Sequence, residues 1–323
     1  MQILRFFKLD KISLGVKPNT NLYDTQLKNR DGKIAESFYD IATDFYQYGW
    51  GDSFHFAPLS KNKNFNQSII DHEIKLAKDI GITSDSKVMD LGCGVGGPLI
   101  NISKGIGCEM TGLTINEYQV NKGTERIQEN NLQDKCSIIQ GDYLNLPFED
   151  DSYDNGIDVE ATAHCTDLDK YFKEVHRVLK KGGRFGGFAW VATDKYDKNN
   201  LKQRNTLERV AYGNGLPKIF TFEDFKISIE KSGLKLVDVE DQALTAEIPW
   251  WQPLAPEWSI SGFKSTFLGR KFTTTLVKVL EFFNIAKKGT VKAHDILCEG
   301  ADGLYISGSE GYYTPMMRYI VEK

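Results

Sequence analysis

From Lys87 onward, short apolar runs alternate with segments whose apolar residues recur at helical spacing. KVMDLG, CEMTGLT, CSIIQGD, YDNGIDVEA and RFGGFAWVA read as strands, and NEYQVNKGTERIQEN and DLDKYFKEVHRVLK read as helices between them. That alternation predicts an α/β fold, a mostly parallel sheet with helices on both faces. The helix starting near Thr166 carries Asp167 and Asp169 in its first turn and is expected to run to LKKGG, with Gly182 at its C-cap. Upstream, residues 1–35 are polar and weakly patterned and read as a mobile tail. Residues 38–58 instead pack Phe38, Tyr39, Phe45, Tyr46, Tyr48, Trp50, Phe54 and Phe56 into one stretch, a density that calls for an apolar surface or ligand. Beyond Ala192 the strand and helix rhythm is interrupted by Trp250, Trp251, Trp258 and the amphipathic FTTTLVKVLEFF, until TPMMRYIVEK reads as a late strand. Five parts are expected: a tail (1–35), an aromatic-rich helical cap (36–85), a core (86–192), a substrate-binding insertion (193–305) and a closing strand (306–323).

Composition narrows the partners. With 323 residues and 41% hydrophobic content the chain can bury a large core. A net charge of -4 and a pI near 5.8 provide no basic field, so nucleic acid is not an expected partner. Cys93, Cys108, Cys136, Cys165 and Cys298 form no CxxC pair, which fits a reducing, cytoplasmic setting without disulfides or a metal site. No apolar run reaches the roughly 18 residues of a membrane span, so membrane contact would be peripheral. Lys264–Lys292, with seven Lys and Arg against Glu281 alone, is the segment for such contact, on the cytosolic face of the endoplasmic reticulum. Self-association is left open.

The candidate chemistry sits in Asp90-Leu91-Gly92-Cys93-Gly94-Val95-Gly96-Gly97, after an apolar strand and before a helix. Gly92, Gly94 and Gly96 let backbone approach a ligand closely, with Cys93 between them. Gly92, Gly94 and Gly97 also satisfy GxGxxG, so a dinucleotide is the rival ligand. Asp90 would repel a pyrophosphate and attract a cationic amino-acid cofactor, which favours S-adenosylmethionine. The second strand ends without the acid that grips a ribose in most NAD sites, and Thr114 and Gln119 are the candidate ribose contacts. Asp142 and Tyr143, closing the third strand, resemble the adenine-contacting position of class I methyltransferases.

Several segments together resemble one family. TDFYQYGWGDSFHFA (43–57), DLGCGVGGP (90–98), GLTINEYQVNKG (112–123), EATAHCTD (160–167), WVATDKYD (190–197), EIPWW (247–251), GRKFTT (269–274) and YTPMM (313–317) are similar to characteristic stretches of sterol 24-C-methyltransferases. The resemblance implies a class I, Rossmann-like methyltransferase fold with a seven-stranded sheet and an inserted C-terminal lipid-binding region. It further implies S-adenosylmethionine-dependent C-methylation of a sterol side-chain double bond in sterol biosynthesis, typically on zymosterol or cycloartenol. In that reaction the alkene takes the sulfonium methyl, a cation forms at carbon 25, a hydride shifts from carbon 24, and a base removes a proton. Such chemistry needs an apolar slot, π-faces or carboxylates near the cation, and a proton acceptor. Tyr46 and Trp50, with Tyr48, Phe54 and Phe56, are the expected π-faces. Glu160 and His164, four residues apart, are expected on one helical face as catalytic groups, Glu160 serving the cation or the methionine end of the cofactor and His164 the deprotonation. Asp44, His55 and His72 are further candidates. Where the family is expected to read Tyr-Glu-Trp, this chain has Phe188-Ala189-Trp190, which suggests that a substrate-facing carboxylate is missing. Rival readings are methylation of another lipid such as a tocopherol or triterpene, an inactive lipid-binding relative, and an NAD-dependent oxidoreductase.

Overall fold

The computed structural model describes residues 23–24, 34–256, 267–283 and 289–323. Helices α1 (Ile34–Gly49) and α2 (Phe65–Asp79) precede the first strand. Strands and helices then alternate as β1 (Lys87–Leu91), α3 (Gly97–Ile106), β2 (Glu109–Thr114), α4 (Glu117–Glu129), β3 (Cys136–Gln140), β4 (Tyr153–Val159), α5 (Leu168–Val178) and β5 (Leu179–Ala192). The rest is α6 (Leu201–Asn214), β6 (Phe220–Thr221), α7 (Phe222–Ser232), β7 (Lys235–Asp241), α8 (Phe267–Phe282), α9 (Thr290–Glu310) and β8 (Tyr313–Glu322). The strand order is β3-β2-β1-β4-β5-β8-β7, with the two-residue β6 beside β5; pairs with β8 are antiparallel and the others parallel. The class I order is thus met by seven strands on the main path plus β6.

Local signals set the element ends near the site. Gly96, at φ +78, begins α3 ahead of Pro98, and the Asn116 side chain caps α4 by accepting the Gln119 N–H. Asp167 caps α5 likewise, through the Lys170 N–H. The far end of α5 differs from expectation. The helix stops at Val178, and Leu179-Lys180-Lys181-Gly182 already belong to β5, where buried Leu179 pairs with Tyr153. Burying Leu179 in the sheet outweighs the C-cap signal of Gly182.

Two apolar clusters sandwich the sheet, one holding α5 and α7 and the other α2 and α3. Helix α2, expected in the cap, thus belongs to the core layer, and buried His72 stacks on Phe188 at 3.9 Å between ring centres. The interrupted stretch 193–305 also contributes to the sheet layer, through β6, α7 and β7. Helices α6 and α9 cross closely: a Cβ at Gly213 would lie 2.0 Å from the Gly300 nitrogen. A third cluster joins Phe56, Leu207, Val210, Trp250 and Tyr313, and a fourth joins Tyr23, Ile34, Phe38 and Ile296, seating α1 on α9. The expected tail mostly lies outside the described residues, but Tyr23 is fully buried and donates to the Tyr212 carbonyl.

Candidate active site

The strand order reverses between β2-β1 and β4-β5, and a cavity of about 630 Å³ opens at the carboxyl ends there, where open α/β sheets bind ligands. Its floor is the glycine loop. Gly92, Gly94 and Gly96 have φ of +81°, +55° and +78°, a backbone region that L side chains avoid. A Cβ on Gly92 would meet that of Ala161 at 2.2 Å, whereas one on Gly94, which lines the cavity, would meet only Phe54 at 3.7 Å. Gly96 and its neighbour α3 support the loop from behind; Gly96 does not line the cavity. The amides of Gly92 and Cys93 both donate to the Leu113 carbonyl, tying the loop to β2.

Asp90 lies buried at the end of β1, and its Oδ2 has no hydrogen-bond partner. Burial, then Asp158 and Glu73, push its carboxyl well above the usual range. A ligand bringing positive charge and N–H or O–H donors relieves both penalties. S-adenosylmethionine carries such groups, so the residues present fit it.

Thr114 and Gln119 line the cavity but are already engaged. Thr114 Oγ1 donates to Gln119 Oε1 at 2.7 Å, and Gln119 Nε2 donates to Thr43 Oγ1 of α1 at 3.3 Å. Beside them Asn116 Nδ2 donates to Asp40 at 2.8 Å, and Lys122 pairs with Asp44 at 2.9 Å. These residues therefore hold α1 over the cofactor end, which accounts for Asp44. Asp142 and Tyr143 line the opposite side; Asp142 accepts the Leu144 N–H at 2.8 Å, and the Tyr143 hydroxyl donates to the Ala161 carbonyl at 3.5 Å.

Glu160 follows β4 with a left-handed backbone, φ +66, an uncommon conformation for a non-glycine residue. Its Oε1 accepts the Phe56 N–H and its Oε2 the Trp190 indole N–H, both at 2.7 Å. Burial lifts its carboxyl to about 8, while His55 and the two donors hold it down. The expected helical face is absent, because Ala161–His164 form a single 3-10 turn with Glu160 outside it. Fully buried Asp158, which the sequence reading missed, shapes that turn: Oδ1 accepts the Ala161 N–H at 2.7 Å, and Oδ2 accepts the Tyr171 and Tyr319 hydroxyls. Glu160 and His164 both still line the cavity.

His164 Nδ1 faces the Gly215 carbonyl at 3.1 Å, so that nitrogen carries the hydrogen and Nε2 accepts from the Tyr39 hydroxyl, also at 3.1 Å. Burial drops its pKa to about 4. Tyr39, absent from the expected site, lines the cavity together with Phe38 and Tyr46 of α1, at helical spacing that the aromatic density had obscured. Among the expected π-faces, Tyr46 and Phe54 line the cavity. Trp50 does not: its indole donates to the His55 carbonyl at 2.8 Å and its ring packs on Phe56 and Phe65. Phe56 likewise packs behind the wall on Trp190 and Trp250, while Trp190 itself lines the cavity. The side chain of Tyr48 lies outside the described residues.

His55 Nε2 meets Glu73 at 2.9 Å and Nδ1 meets the Phe56 carbonyl at 2.7 Å, two acceptors that suit an imidazolium. Burial opposes that charge, and the hydrogen bond and charge of Glu73 overcome it, raising the pKa. Ala189 corrects an expectation. It is buried among Tyr171, Phe172 and Val191 on the face away from Phe188, and it does not line the cavity, so its identity removes no charge from the substrate side.

Family models described as a methyltransferase domain and as a sterol methyltransferase C-terminal region match residues 82–222 and 260–323. The sterol 24-C-methyltransferase of Kluyveromyces lactis is 37% identical over 298 residues, 90% of this chain and 80% of that one. That of Saccharomyces cerevisiae is 38% identical over 300 residues, 90% of this chain and 78% of the other. Cycloartenol-C-24-methyltransferase 1 of Oryza sativa is 36% identical over 291 residues, with 90% and 85% covered. Among solved structures, the fold is similar to geranyl diphosphate C-methyltransferase from Streptomyces coelicolor with bound S-adenosyl-L-homocysteine (TM-score 0.60, 17% identity, 88% and 97% covered). It is also similar to a mycolic acid cyclopropane synthase (TM-score 0.70, 12% identity, 90% and 97% covered). With a glycine loop and a buried Asp90 carboxyl lining one cavity, this enzyme belongs to the S-adenosylmethionine-dependent sterol 24-C-methyltransferase family.

Proposed function

We propose that the chain methylates the side-chain double bond of a sterol, with Glu160 and the aromatic wall stabilising the cation that follows. The observation that carries this reading is the single cavity in which Asp90 and the glycine loop meet Glu160, Tyr39, Tyr46, Phe54 and Trp190. Asp90, the glycine backbone and Asp142 hold the cofactor, which when bound supplies an electrophilic methyl group. Tyr46, Phe54 and Trp190 present rings to a desolvated cation, each worth up to about 2 kcal/mol. Glu160, fixed by the Phe56 and Trp190 N–H groups, brings its negative charge once a cation nearby lowers its pKa. Thr114, Gln119 and Asn116 hold α1 as the lid that excludes water. Mass spectrometry of products from zymosterol, cycloartenol and unrelated prenyl lipids with labelled S-adenosylmethionine tests this. Label in a prenyl lipid and none in either sterol would overturn it.

A second observation favours peripheral contact with an anionic membrane. On α8 the side chain of Phe272 is 66% exposed and that of Phe282 80%, with Phe283 beside it and Lys271 and Lys278 on the same helix. Glu281 turns away to accept the Gly289 and Val291 amides at the start of α9. Lys292 is engaged by Asp24, while Lys264, Lys287 and Lys288 lie outside the described residues. Co-sedimentation with vesicles containing phosphatidylserine should fall as salt rises and fall further in Phe272→Ser/Phe282→Ser; binding indifferent to anionic lipid removes the idea.

A further inference from the structure

We infer that the proton leaving the sterol cation goes to the Tyr39 hydroxyl, with His164 behind it receiving the phenol's own proton; this rests on the sterol methylation proposed above. The directions of three hydrogen bonds single out this pair. Tyr39 and His164 both line the cavity, but the Nε2 lone pair of His164 is turned to the Tyr39 O–H at 3.1 Å, so the atom left to accept from the cavity side is the phenol oxygen. Tyr46 and Tyr143 also line the cavity. Their hydroxyls end on the Asn214 amide oxygen at 3.5 Å and the Ala161 carbonyl at 3.5 Å, neither of which takes up a proton. The two Glu160 oxygens each already accept one N–H, from Phe56 and from Trp190. Among the described hydroxyls on the cavity wall, Tyr39 is the one whose hydrogen has a basic nitrogen to move to.

The step balances within the substrate and these two side chains. A C–H bond next to the cationic carbon breaks and its electron pair becomes the new C=C bond. The proton adds to Tyr39 Oη as the phenol proton moves to His164 Nε2, leaving a neutral phenol and an imidazolium whose Nδ1–H stays on the Gly215 carbonyl. A tertiary carbocation is so strong an acid that a weak base suffices. Burial keeps His164 near 4, so the ring is neutral before the step and gives its proton up readily once water enters.

The test is product partition in the full-length enzyme with labelled S-adenosylmethionine and whichever of zymosterol or cycloartenol it methylates. In Tyr39→Phe, label should still enter sterol, with formation of the wild-type alkene at least 10-fold slower and the products shifted to other alkenes or a water-captured alcohol. His164→Gln should shift the partition the same way, and the double variant no further than either single. Deuterium oxide should change the wild-type partition and leave that of Tyr39→Phe unchanged. A wild-type product ratio in both single variants overturns the inference, as does lost cofactor affinity with the ratio kept, which is the mark of a packing role. Wild-type enzyme that labels no sterol overturns the proposed substrate itself, and so separates the two failures.

Discussion

Glu160 combines three unusual features: a left-handed backbone, a buried carboxyl and two N–H donors of 2.7 Å geometry. In the proposed role its charge acts once the methyl has moved, so Glu160→Gln should cut turnover by ~100-fold or more while cofactor affinity stays nearly unchanged. Affinity loss without turnover loss, measured by calorimetry and product formation, would instead put Glu160 at the methionine end. Its pKa adds a stability signature. With the carboxyl at about 8 in the fold against 4.5 unperturbed, the folded chain binds one more proton between those values. The stability this lends is complete below about pH 4.5 and is lost as pH rises through about 8. The thermal midpoint of Glu160→Gln, relative to wild type, should therefore climb from about pH 5 to about pH 8 and then level off; a constant offset refutes it. The raised carboxyl of Asp90 predicts that binding a ligand with a cationic group beside it releases protons. Calorimetry in buffers of different ionisation enthalpy should show more release with S-adenosylmethionine than with S-adenosylhomocysteine, which lacks the sulfonium. Equal release with both ligands would mean that Asp90 does not respond to the sulfonium.

At the scale of elements, α1 and the end of α6 line the cavity, and α9 packs against both. Helix α6 ends at Asn214, and just beyond it Gly215 accepts from His164 and Leu216 lines the cavity. The position of α6 depends on its crossing with α9, where Gly300 lies so close to Gly213 that a Cβ at 300 would come within 2.8 Å of Asn214 Nδ2 and 2.9 Å of the Gly213 backbone. Gly300→Ala should then destabilise the fold by about 1–3 kcal/mol through overpacking. It should also shift product partition, because the carbonyl that orients His164 sits one residue past the same helix. Urea unfolding together with product analysis checks both, and unchanged stability would mean that the helices separate freely. The sheet layer shows how element boundaries can be misread: Gly182 looks like a helix C-cap but lies in β5.

For the whole molecule, the glycine-loop end of the cavity gathers α1, the loop after β1, and the ends of β2, β3 and β4. A ligand bound there favours the folded state. S-adenosylhomocysteine at 100 times its dissociation constant should stabilise the enzyme by about 2.7 kcal/mol, read as a concentration-dependent rise in thermal midpoint. Lys122→Met, which removes one contact each to Asp44 and Gln47 of α1, should weaken that ligand with little change in the midpoint of the free enzyme, because the pairs it breaks are partly exposed. If it lowers the free midpoint strongly, α1 is part of the core instead of a lid. The sequence alone determined the strands of the core, the glycine loop and Asp90 at its edge, because apolar runs and turn glycines act over a few neighbouring residues. It also singled out Glu160, His164 and Tyr46, which line the cavity, through a resemblance carried by short segments. Only the tertiary structure decided which aromatics face the cavity, setting Trp50 behind the wall and Tyr39 on it, since the lining face of helix α1 is set by its packing against α9 and its bonds to Asn116, Gln119 and Lys122. It likewise decided that Ala189 faces the core, that Asp158 shapes the turn after β4, and that Thr114 and Gln119 are engaged with each other and α1. Each of these depends on contacts between residues far apart in the chain, which no local pattern encodes.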